Sequence, residues 1–175
     1  MSAEEPLKLV ICWHMHQPSY RDAGSGHYRL PWTYLHGIKD YVDMVAILEK
    51  VPKAHAVINF TPTLLEQLDD YTTQVSAALT QGTEPGDPLL AALFAEQLPT
   101  QVEAREALIR SALRANENRL INRFASYRHL VDLANRVLKN PAMLAYLSDQ
   151  YIVDLLVWYH LAWLGETVRL QDSRA

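Results

Sequence analysis

The sequence predicts an α/β fold that is helix-dominated overall, and three observations carry that expectation. A short apolar run, Leu7 to Trp13 with Lys8 its single charge, has the length and content of a strand. An amphipathic helical segment and a second apolar run, His55 to Phe60, follow it in the order strand, helix, strand. From residue 61 onward the apolar spacing is helical nearly throughout.

Residues 1–6 read as a polar leader and residues 7–16 as the first strand. Pro18 stops the ladder, because proline has no N–H to donate. Residues 17–37 read as a long loop of the kind that carries binding groups. A helix is expected over 39–50, with Tyr41, Met44, Val45 and Leu48 on one face, and Val51-Pro52 ends it. The second strand spans 55–60, which implies a parallel pair joined by a right-handed crossover. Thr61-Pro62 opens the next helix with a capping hydroxyl and a proline at the first helical position; Gly82 closes it. After a loop over 82–88, Asp87-Pro88 caps a short helix to about residue 97. Residues 100–138 read as continuous helix, with a seam of Leu120, Phe124, Tyr127, Val131, Ala134 and Leu138 that predicts packing on a neighbouring helix. Asn140-Pro141 breaks it, and residues 148–164 are apolar nearly all round, so that helix is expected to be buried. The organisation expected is a single unit over 1–175, with a βαβα start over 1–70 and a helical region over 71–175.

At 175 residues, 49% hydrophobic and 21% charged, the chain has the size and balance of one soluble domain. Its net charge of −4 argues against a nucleic-acid partner, which needs a basic face to displace counterions, and against a basic membrane-surface segment. Cys12 is the single cysteine, so no internal disulfide is available, and a buried small hydrophobe is expected there. The acidic start is unlike a secretory signal, and the apolar stretch 151–164 is too short to span a bilayer. A cytoplasmic protein without membrane association is expected.

The chemistry concentrates in Trp13-His14-Met15-His16-Gln17-Pro18. Side chains alternate along a strand, so His14 and His16 share a face at the carboxyl end of the first strand, where α/β folds place their chemistry. The segment Tyr28 to Tyr41 adds Trp32, Tyr34, His36 and Asp40. Aromatic faces with polar groups between them suit sugar rings, whose flat C–H faces stack while their hydroxyls need directed partners.

These strings carry a resemblance. Trp13 to Pro18, Leu30-Pro31-Trp32 through Asp40-Tyr41, Asn59-Phe60-Thr61-Pro62-Thr63-Leu64-Leu65-Glu66-Gln67-Leu68, and Asp154 to Leu164 together resemble the front of glycoside hydrolase family 57. That family contains α-amylase-like hydrolases, amylopullulanases, 4-α-glucanotransferases and glycogen branching enzymes. The resemblance implies an N-terminal part of an incomplete (β/α)7-type barrel with a large helical insertion. It also implies an α-glucan polysaccharide or oligosaccharide as substrate. His16, at the His-Gln-Pro position, would hydrogen-bond a sugar hydroxyl at the cleavage subsite, with His14, Gln17, Trp32 and Asp40 as further binding residues. The family's nucleophilic Glu and general-acid Asp lie in later motifs, and none is read before Ala175. No catalytic residue, cofactor or metal is therefore expected in this chain, the isolated chain is expected to be inactive, and its incomplete core is expected to drive self-association. Two other readings stand beside this one. A metal-dependent barrel hydrolase would place His14 and His16 on one ion, but His55 lies at the wrong strand end and His129 and His160 lie on helices without ligand spacing. A non-catalytic helical assembly piece is the other. Glu66, the nearest carboxylate to offer as a substitute acid, reads as part of a solvated helix face.

Overall fold

The computed structural model describes residues 7–171. Strand β1 (Cys12–Met15) pairs in parallel with β2 (Val57–Phe60), in a register that sets Cys12 opposite Val57 and His14 opposite Asn59. Between them runs a helical crossover: α1 (Trp32–His36), a π-helical turn (Gly37–Tyr41) and α2 (Val42–Glu49). Next come α3 (Pro62–Gln81), α4 (Pro88–Phe94), α5 (Val102–Ala112), a π-helical turn (Glu117–Ile121) and α6 (Ala125–Val137). A 3₁₀ segment (Pro141–Tyr146), α7 (Asp149–Trp163) and α8 (Glu166–Gln171) complete the described chain. None of these helices is long and apolar enough to cross a membrane.

The first strand is shorter than the 7–16 expected. A strand needs a partner, and β2 offers one only from Val57, so Leu7, Leu9 and Val10 stand exposed. Cys12 is exposed rather than buried, because the face of the sheet that carries it is uncovered. The loop expected to reach residue 37 ends at Pro31, which sits at the start of α1; Thr33, Tyr34 and Leu35 are buried by it. Pro31 was the available signal, since proline's fixed φ suits a helix start. Gly37 permits the close approach of this run to α3: a Cβ there would lie 3.1 Å from Leu68 Cδ2.

Thr61 stands at the head of α3, but its hydroxyl makes no capping bond; the Leu64 and Leu65 amides donate to the Thr61 carbonyl instead. Gly82 closes α3 with φ of 69°, and Asp87 caps α4 by accepting from the Leu89 and Leu90 amides. The continuous helix expected over 100–138 is broken between Ala112 and Ala125. There the Asn116 side chain accepts from the Arg119 amide, an alternative to helical pairing that short polar side chains offer the backbone. The seam survives the break in part, with Leu120, Tyr127, Val131 and Ala134 buried.

The core lies among the helices. Tyr127, Tyr159, Leu35, Leu64, Ile152, Leu155 and Leu156 are at most 1% exposed. Buried tyrosines need an acceptor for the hydroxyl. Tyr127 donates to the Ala112 carbonyl (2.6 Å), Tyr151 to the Leu130 carbonyl (2.7 Å) and Tyr71 to Asp87 (2.9 Å). Helix α7 is not buried all round: Val153, Val157 and Leu161 form an exposed stripe, while Trp158 packs on Phe124 and Trp163 is buried. The uncovered apolar surface of α7 thus lies on a different face from Trp158 and Trp163.

Candidate functional site

The pleat of β1 sends Met15 inward and His14 outward, and His16 follows on the His14 side. The two imidazoles lie parallel, 5.8 Å apart with 9° between planes, and both are exposed. His14 Nδ1 is 2.7 Å from Asn59 Oδ1 across the strand pair, which fixes the ring and leaves Nε2 outward. Among the described residues no group of three or more His, Cys, Asp or Glu is gathered closely enough to hold a metal ion. His55 is exposed ahead of β2, His129 is exposed on α6, and His160 is turned into the core of α7.

Gln17 begins a polar chain that leads away from the strand. Its side-chain carbonyl accepts from the Tyr20 hydroxyl (2.9 Å), and its amide faces the Tyr41 hydroxyl at 3.4 Å. Gln67, buried on α3, holds the same loop by accepting from the Tyr20 amide and donating to the Pro18 carbonyl, each at 3.0 Å. The His-Gln-Pro turn is therefore pinned at both ends by side chains of the first half of the chain.

Tyr20 opens onto a cleft of about 480 Å³ that it lines with Trp32, His36, Arg114, Asn116 and Trp163. Trp32 and Trp163 lie 5.9 Å apart and tilted by 47°, and Trp163 meets the His36 ring edge-on. Behind His36 stands Asp40, at 2.5 Å from Nδ1; its other oxygen takes Lys39 Nζ at 2.6 Å. Partial burial works to raise the Asp40 pKa, but these two hydrogen bonds outweigh it and hold the carboxyl below its ordinary value. Asp40 lies in the π-helical turn, a local widening that recurs at functional positions.

The structure thus separates the five residues singled out in the sequence. Gln17, Trp32 and Asp40 belong to the cleft or to the shell directly behind it, while His14 and His16 occupy the open face of the sheet. Tyr20, Arg114, Asn116 and Trp163 were not among the residues singled out, and His36 was named with its segment but given no binding role. The pairing of His36 with Asp40 could have been found from their i, i+4 spacing. Arg114 and Asn116 reach the cleft only because the helix breaks at Leu113, and the helical periodicity there concealed the break.

Behind the cleft, the Tyr34 hydroxyl donates to His160 Nε2 (2.9 Å), while His160 Nδ1 donates to the Leu156 carbonyl (2.7 Å). Burial pushes the His160 pKa down. This contact ties α1, which carries Trp32 and His36, to α7, which carries Trp163. At the far end of the crossover, Asp43 accepts from the Glu166 and Thr167 amides and so caps α8.

The model of glycosyl hydrolase family 57 matches residues 10–170, nearly the whole chain. No curated protein and no solved structure matches it.

Proposed function

The chain belongs to glycosyl hydrolase family 57, and from that membership we propose that it is the N-terminal portion of a retaining enzyme acting on α-glucans. Membership by itself gives glycoside-hydrolase chemistry and a carbohydrate substrate. The finer reading makes residues 1–70 the start of an incomplete (β/α)7-type barrel and residues 71–175 its helical region. The parallel pair β1–β2 with a helical crossover supports that reading.

The observation that carries the proposal is the match over residues 10–170 together with the imidazole pair and the aromatic cleft that follow β1. A retaining glycosidase needs a nucleophile and an acid about 5 Å apart across the glycosidic bond. In this reading both come from later strands, so the 175-residue chain turns over no substrate. His16, at the end of β1, hydrogen-bonds a sugar hydroxyl at the cleavage subsite, and His14, held by Asn59, does the same beside it. Hydrolysis, transfer and branching share this front end, because they differ in how water or an acceptor sugar reaches the glycosyl-enzyme. In the full-length enzyme, His16→Ala lowers kcat/KM on amylose by on the order of 10²-fold, the cost of one lost transition-state hydrogen bond. Unchanged kcat/KM would remove His16 from the site.

We propose further that the chain on its own self-associates. Val57 and Phe60 on β2, and Val45 and Ile47 on α2, are exposed beside a strand edge with unpaired backbone groups. Light scattering at tens of micromolar tests this, and a clean monomer with a sharp melt would show that the chain closes its own core.

A further inference from the structure

We infer that the Trp32–Trp163 cleft is a sugar-ring subsite that this chain forms by itself, with Asp40 as a positioning residue acting through His36. The inference rests on the α-glucan reading for its choice of sugar, but its geometry stands apart from the His14–His16 face.

The buried Trp163 packs behind Trp32, with the two indoles 5.9 Å apart and tilted by 47°. The partly exposed Trp32 offers a stacking face for the C–H side of a pyranose. The cleft is an open depression rather than an enclosed cavity, which suits a single ring laid on an indole face. Sugar hydroxyls both donate and accept, so a subsite must supply both kinds of partner. Asn116 Oδ1 is taken by the Arg119 amide, which leaves its Nδ2 as a donor. Arg114 makes no ion pair among the described residues and supplies a forked donor. The remaining partner is His36. An ionised Asp40 can only accept, so the hydrogen between them belongs to His36 Nδ1, and Nε2 is the ring nitrogen left for a hydroxyl, an acceptor in the neutral ring. Lys39, on the other oxygen of Asp40, keeps that carboxylate in place. Donors thus come from the break before α6, and the acceptor and stacking face come from the crossover helix. The subsite exists only because the helical region folds back on the start of the chain.

The test is an NMR titration of the 175-residue chain with maltotriose and, separately, cellotriose. Maltotriose is expected to shift the Trp32 and Trp163 indole N–H signals and the His36 ring signals saturably, with a Kd on the order of millimolar. Trp32→Ala should weaken binding about tenfold. Asn116→Ser, which keeps the capping oxygen and removes the amide donor, should weaken it several-fold with the fold intact. In the free protein the His36 ¹⁵N signals should show the hydrogen on Nδ1, and Asp40→Ala should release it. Should cellotriose alone produce the cleft shifts, the subsite stands and the α-glucan reading falls. If maltotriose shifts only His14 and His16, the subsite falls and the α-glucan reading stands. No saturable shift with either sugar, or unchanged affinity in both Trp32→Ala and Asn116→Ser, overturns the subsite. An unchanged His36 tautomer in Asp40→Ala overturns the role given to Asp40.

Discussion

The helices packed around Tyr127 and Tyr159 and the two-stranded sheet at the front of the chain both carry large apolar side chains, yet one is closed and the other open. In the first, Ile152, Leu155, Leu156 and Tyr159 of α7 are at most 1% exposed. In the second, Val57, Phe60 and Cys12 face outward, and no residue of α2 is fully buried. Apolar composition makes burial possible, but only a packing partner realises it. A two-strand sheet has too few neighbours to provide one.

The comparison breaks most visibly on truncation. Leu155→Ala in the closed region should cost about 2–5 kcal/mol in urea unfolding, whereas Val57→Ala on the sheet should stay within about 0.5 kcal/mol. Equal losses would mean that the sheet is closed after all, by association. Hydrogen exchange sharpens the same point. Amides of α6 and α7 should exchange at the global unfolding limit, and those of β1 and β2 through local opening.

Acidity separates the two regions next. Burial raises the Asp87 pKa, so the stability tied to its neutral form is present below about 3.9 and is lost as pH rises through the higher folded value. Asp87→Asn keeps an acceptor for the α4 cap and should remove that slope. Asp40 in the crossover has the opposite sign, since its folded pKa is lowered. Its contribution is present above about 3.9 and lost as pH falls through the folded value, and Asp40→Asn should flatten only the acid limb. His160, lowered by burial, adds stability that is full above about 6.5 and lost as pH falls through its folded value. The smallest effect belongs to the junction. Asp43→Ala removes the cap of α8 and should cost about 1 kcal/mol, read as a small shift in Tm.

How far these regions were legible in the sequence follows the same division. The order strand, helix, strand, the start of α3 at Pro62, its end at Gly82 and the cap of α4 by Asp87 could all be read, because each rests on local chemistry. The length of β1, the exposure of Cys12 and the open stripe of α7 could not, because each depends on which elements lie alongside. The same holds for the site. The shared face of His14 and His16 was legible from the period of a strand, and the aromatic surroundings of Trp32 from its neighbours in sequence. Trp163, Arg114 and Asn116 are separated from Trp32 by more than eighty residues of sequence and meet it only in the folded chain.

The proposal to be tested is that this chain supplies sugar-binding groups to an α-glucan enzyme whose reacting carboxylates lie outside these 175 residues. Product analysis on amylose, with the 175-residue chain and the full-length enzyme side by side, tests it most directly. The account predicts new reducing ends, or transferred or branched chains, from the full-length enzyme and none from the chain alone. Comparable turnover by the chain alone, or a full-length enzyme inert on α-glucans, would contradict it.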